Sequence, residues 1–164
     1  MIEITQIGDP LLRKKAQPVE TIDSSILEVI EQLKKAIAAY PNTIALAAPQ
    51  LGLSVALFVA CFPDDRAKPN PYRVFINPKI KEPSTETWVE KEASLSVPEI
   101  CISIRRPTEI TISYQDEHGK HLTERLEGWP ARIAMHENDL LNGKLFIDRA
   151  EGKEKTKIAR KLRP

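Results

Sequence analysis

Apolar residues recur at helical spacing in "DSSILEVIEQLKKAIAAY", where Ile26, Ile30, Leu33 and Ile37 fall three or four apart and share one face. This predicts a helix from about Ser25 to Tyr40, opened by Ser25 and Glu28 as a capping box and stopped by Pro41-Asn42. The period then shortens. Apolar runs at 55–62, 72–80 and 100–104 predict strands, while "PDDRAKPNP" (63–71) holds too much proline and charge for a regular element and reads as a loop. Strict alternation at Ile110, Ile112 and Tyr114 passes through Asp116-Glu117-His118-Gly119 and returns at Leu122 and Leu126, which predicts a hairpin. Gly128 and Pro130 open a second helix, and Asn142-Gly143 closes it. Runs of strands with a helix at each end predict an α+β fold. No repeat or low-complexity linker interrupts the 164 residues, so 1–164 is expected to form a single domain, with 150–164 a basic C-terminal tail or helix.

Composition changes this picture little. The chain is 41% hydrophobic and 29% charged with a net charge of +1, a balance that gives no whole-molecule attraction to nucleic acid or membrane. No apolar run approaches the ~20 residues of a spanning helix, and "MIEITQIGDP" lacks a basic-then-apolar signal pattern. Cys61 and Cys101 are too few for a disulfide framework and read as ordinary strand residues. A cytoplasmic protein is expected, with no membrane partner and no sequence-specific nucleic acid. The last fourteen residues carry six Lys/Arg against two Glu, which reads as a solvated helix face, with contact to a ribosome as the alternative.

The chemistry is carried by "AMHENDLLNG" (134–143). His136 and Glu137 open an H-E-x-x-H pattern, in which two histidines one turn apart hold a metal and the glutamate moves protons, but Leu140 stands where the second histidine belongs. Alone, such a pair marks an ordinary helix surface. Two further stretches belong with it: "IALAAPQLGLSVALFV", a small-residue turn through Gln50 into an apolar strand, and "EKEASLSVPEI", with Glu92, Ser94, Leu95 and Ser96.

In this order and spacing the three blocks resemble the peptide deformylase family, which pairs a G-Φ-G-Φ-A-A-x-Q block with E-G-C-L-S and Q-H-E-x-D-H blocks. The likeness extends to "IGDPLLRKKAQPV", "FINPKI", "RPTEITISYQDEHG" and "GKLFIDR", nearly the whole chain. It implies the deformylase fold, with strands and a hairpin around the helix bearing the degenerate motif. In the family, iron or zinc is held by the cysteine of the second block and both histidines of the third, and a bound water attacks the formyl carbonyl. Carried over by residue, the resemblance implies catalytic roles for Glu137, Gln50 and the Leu95 N–H. It implies substrate contacts at Ile44, Ala45, Arg106, Trp129 and Ile133, and a supporting polar role for Asp139.

The departures fall on the same site. Ser94 replaces the cysteine ligand and Leu140 the second histidine, leaving His136 as the surviving ligand; Met135 replaces the preceding glutamine. Thr43, Ala45 and Ala93 stand where the family has glycines, which narrows or reshapes the groove. No cofactor is therefore expected. The expectation is a deformylase-like protein without metal-dependent activity, whose cleft takes formyl-methionyl or other peptide N-termini, such as those of nascent chains. Two alternatives stand beside it: an active deformylase with an atypical iron or zinc site, and a metal-independent hydrolase with Ser94 as nucleophile and His136 as base. Against the last, no third residue is evident in the sequence to orient the histidine.

Overall fold

A computed structural model describes residues 2–163. The first helix, α1, spans Ser24–Ala39 and buries Ile26, Ile30, Leu33 and Ile37, the stripe that the spacing predicts. Its cap differs from expectation. Asp23, one residue ahead of the helix, accepts from the Ile26 N–H at 3.2 Å, and Ser25 lies inside the first turn with its hydroxyl on Asp23 at 2.6 Å. A carboxylate at this position outcompetes the hydroxyl because it also meets the positive end of the helix dipole.

The strands are β1 (Ala45–Ala47), β2 (Leu57–Ala60), β3 (Arg73–Lys81), β4 (Thr87–Ser94), β5 (Val97–Pro107), β6 (Glu109–Gln115) and β7 (His121–Glu127). Five form one antiparallel sheet in the order β1-β2-β3-β6-β7. Successive side chains of a strand point to opposite faces, and here both faces are covered. Leu57, Val59, Val74 and Ile76 pack with α1, whereas Phe58, Ala60 and Phe75 join the core around the second helix, α2 (Trp129–Leu141). That double burial explains why "LFVA" is apolar without alternation.

The expected strand at 100–104 is the middle of an eleven-residue strand, β5, which pairs with β4 in a separate two-stranded sheet. The expected helix at 130–141 starts one residue earlier, at Trp129, and the 109–127 hairpin is present as β6–β7. The basic segment forms a helix, α3 (Lys153–Lys161), seated on β5 by Ile158 and by the Glu154 carboxylate, which accepts from the Ser103 N–H at 3.0 Å. No described helix is long and apolar enough to cross a membrane.

The N-terminal segment ties the end of α2 to the turn between β4 and β5. The Ala16 N–H donates to the Leu141 carbonyl at 2.8 Å, and the Ile7 N–H to the Ser96 carbonyl at 2.8 Å. Gly143, at φ +73°, passes so close that a Cβ there would sit 2.5 Å from the Arg13 carbonyl oxygen. Only glycine fits both that backbone angle and that approach.

Candidate functional site

Between β1, the β4–β5 turn and α2 lies a cleft of about 550 Å³. Trp129, Ile133, His136 and Leu140 follow helical spacing on one face of α2, and the first three line the cleft while Leu140 is buried. Ile44, Ala45 and Gln50 form the opposite wall, with Ser94 and Leu95 at the end of the hairpin. Of the expected substrate contacts, Ile44, Ala45, Trp129 and Ile133 therefore face the cleft. Arg106 does not. It is 2% exposed and fully engaged below the floor, so its expected contact with substrate is corrected to a structural one.

That floor is an ion network. Arg106 grips Glu92 with two hydrogen bonds, Nε to Oε2 at 2.7 Å and Nη2 to Oε1 at 2.8 Å, and turns Nη1 to Asp139 at 2.9 Å. Arg149 closes on Asp139 with Nε at 2.6 Å and Nη2 at 2.7 Å, which is the supporting polar role expected of Asp139. Arg132 also donates to Glu92 and to the carbonyls of Ile104 and Trp88. Burial alone would raise the Glu92 carboxyl, but the Arg106 and His136 hydrogen bonds and the Arg106 charge outweigh it and hold the group at about 2. Glu92 is thus an anion at neutral pH.

His136 stands on this anion. Its Nδ1 lies 2.7 Å from Glu92 Oε1, and the Phe146 ring stacks on the imidazole with centroids 5.6 Å apart. The orienting residue that the sequence leaves unassigned is therefore present. A carboxylate beneath one ring nitrogen is how proteins aim the other nitrogen at a metal or a proton.

Glu137, next along α2, is 4% exposed, and its Oε2 has no partner. Burial, with the Glu92 charge adding and the His136 and Arg106 charges opposing, pushes its carboxyl up to about 7. Gln50 is fixed from both ends: Oε1 accepts from the Ala47 N–H at 3.0 Å, and Nε2 donates to Ser96 Oγ at 3.1 Å and Ser94 Oγ at 3.4 Å. Ser94 Oγ also accepts from the Ser96 N–H at 3.2 Å. The Leu95 N–H makes no hydrogen bond to the described residues.

A divalent ion at the family's position does not fit this donor set. His136 offers one nitrogen, Ser94 a hydroxyl too weakly acidic to ionise readily, and Leu140 nothing. Among the described residues no group of three or more His, Cys, Asp and Glu side chains could hold an ion. Four ligands together yield about 10–16 kcal/mol, so one gives about 2.5–4 kcal/mol, on the order of millimolar affinity or weaker. His118 and His121 lie at the far tip of the β6–β7 hairpin, exposed and away from the cleft.

Two participants escape a reading of the sequence. Glu92 was marked as the glutamate of the second block, without a role, and its position two residues before Ser94 on a strand puts both on one face. Arg132 was marked only by lying one turn before His136 on α2.

The polypeptide deformylase family model matches residues 1–156. A peptide deformylase of Pseudothermotoga lettingae is 40% identical over 160 residues, 98% of this chain and 89% of its own. The crystal structure of peptide deformylase from Thermotoga maritima superposes with a TM-score of 0.83 at 40% identity, covering 93% of this chain and 99% of that one. A peptide deformylase from Synechococcus elongatus, solved in complex with actinonin, gives 0.87 at 33% identity, covering 98% and 85%.

Proposed function

The chain belongs to the polypeptide deformylase family, and from that premise we propose that its cleft binds the N-terminal end of a peptide, formyl-methionyl or other, without metal-dependent hydrolysis. The observation that carries this reading is the donor set: one imidazole, one hydroxyl and one leucine where the family places its ion. The binding half rests on the walls. β1 is an edge strand, so its free side can receive an extended chain. Ile44, Leu95, Trp129 and Ile133 offer an apolar lining for an unbranched side chain such as methionine.

The names of the relatives favour a second reading, removal of the formyl group from formyl-methionyl termini through an atypical metal site. Glu137 supports it, since a carboxyl near 7 exchanges protons readily at neutral pH. One experiment separates the two. Protein purified without chelator is analysed for iron, zinc and nickel, and assayed for hydrolysis and for binding of a formyl-Met peptide. Binding without metal or turnover supports the first reading. Near-equimolar metal with turnover that a chelator abolishes supports the second. Neither binding nor turnover defeats both.

A further inference from the structure

The replacements that dismantle an ion site also release the groups an ion would have occupied. The Glu92 carboxylate beneath His136 can only accept, so Nδ1 carries the proton and Nε2 keeps a lone pair. No cysteine and no second histidine remain at the family's position to help an ion claim that lone pair. Ser94 is prepared from the other side. Its oxygen accepts from Gln50 Nε2 and from the Ser96 N–H, which occupies both lone pairs and leaves the hydroxyl hydrogen free to donate. Ser94 and His136 line the same cleft, and the Gln50 amide and the Leu95 N–H stand beside the serine.

We infer that Ser94, His136 and Glu92 form a metal-independent acyl-transfer site, in which the Ser94 hydroxyl takes a formyl or other short acyl group from an ester or an N-acyl amine. The Ser94 Oγ–carbon bond forms as the proton passes from Oγ to His136 Nε2. The bond from carbon to the leaving oxygen or nitrogen then breaks, and that atom takes the proton from Nε2. Water adds to the acyl-serine in the second half, giving its proton to Nε2, and the carboxylic acid leaves as Ser94 recovers its hydrogen. As Ser94 Oγ turns a lone pair to the carbonyl carbon, the Gln50 Nε2 hydrogen it had accepted is released to the developing oxyanion, beside the Leu95 N–H, which makes no hydrogen bond to the described residues. Glu92 is a positioning residue: it holds the imidazole in the one tautomer that can accept from serine, and Arg106 and Arg132 keep Glu92 itself from moving. The described structure contains no hydrogen bond from Ser94 to His136. Such contacts commonly tighten only when substrate fills the site. This inference goes beyond peptide binding and rests on it only for access of the donor to the cleft.

The test is acylation by p-nitrophenyl acetate, with and without a chelator, followed by intact-mass and peptide mass spectrometry. The expected result is one acetyl group on Ser94, unaffected by chelator, absent in Ser94→Ala and present in Ser94→Cys. His136→Gln and Glu92→Gln are expected to slow acylation on the order of a thousandfold, with Glu92→Asp recovering part of the rate. Binding of a formyl-Met peptide is measured on the same samples. A wild-type protein that binds the peptide but gains no acetyl group overturns the inference and leaves the binding reading standing. Acetylation of Ser94 without peptide binding does the reverse. Labelling that persists undiminished in Ser94→Ala overturns the inference whatever the peptide does.

Discussion

Replacing Glu137 by glutamine should remove most of the pH dependence of stability between pH 5 and 8. The carboxyl titrates at about 7 in the folded protein against 4.5 ordinarily, chiefly because burial penalises the charged form. A group raised in this way gives stability that is fully present below pH 4.5 and is lost as pH rises through 7. Each pKa unit is worth about 1.4 kcal/mol, so the whole loss is about 3 kcal/mol, undiscounted for solvent because the group is buried. Glu92 acts in the opposite sense and in another window. Held at about 2, it gives stability that is present above pH 4.5 and lost as pH falls through 2. Glu137→Gln, neutral at every pH, should therefore retain the acid limb set by Glu92 and lose the alkaline one. Urea unfolding followed by the fluorescence of Trp88 and Trp129 reads both curves. At pH 5 the two proteins should nearly coincide, and at pH 8 the variant should be more stable by about 3 kcal/mol. Parallel curves from pH 5 to 8 would refute the burial argument.

Three further outcomes are expected. Ser94→Cys combined with Leu140→His should bind one zinc per chain at micromolar affinity or tighter, because Glu92 already aims His136, and elemental analysis against the single substitutions checks it. Gly143→Ala should cost about 2–4 kcal/mol, since a Cβ meets the Arg13 carbonyl at 2.5 Å and the backbone is left-handed; a thermal melt within a degree or two of wild type would contradict it. Lys155→Glu with Arg160→Glu, both exposed on α3, should abolish any salt-sensitive co-sedimentation with ribosomes while leaving the melt unchanged. Ribosome binding equal to wild type would dismiss that surface.

The elements legible in the sequence are those whose inward positions are apolar. The α1 stripe and the Ile110–Ile112–Tyr114 alternation each report a face buried against hydrocarbon. β4 has the same alternation, but its inward residues are Trp88, Glu90 and Glu92, since they face Arg106 and Arg132 rather than a core of leucines. A hydrophobic pattern is blind to a strand that buries charge. The site divides in the same way. His136, Glu137, Gln50 and Leu95 were legible through a family resemblance, and the structure brings them to one cleft. The reach of Glu92 to His136 was not, because 44 residues separate the two and only the fold joins them. Arg106 was misplaced because the resemblance puts an arginine beside the substrate cleft, whereas here two carboxylates draw it inside.

The strap formed by the N-terminal segment bears on the order in which the chain folds. Residues 13–16 have their partners at 141–148: Ala16 meets Leu141, the Arg13 carbonyl meets Gly143, and the Arg13 guanidinium pairs with Asp148 at 2.6 Å. During synthesis those partners leave the ribosome long after residues 13–16 do. Residues 13–16 wait for those partners, and contacts of such long separation close slowly because the loop entropy precedes the reward. The same late arrival governs α2. The cleft walls at 44–50 and 92–99 precede in the chain the helix that supplies His136 and Glu137, so that helix can dock between them only after both have been synthesised. A chain stalled before α2 therefore leaves Phe58, Ala60 and Phe75 without the helix that covers them, a species prone to aggregation and a natural client for chaperones.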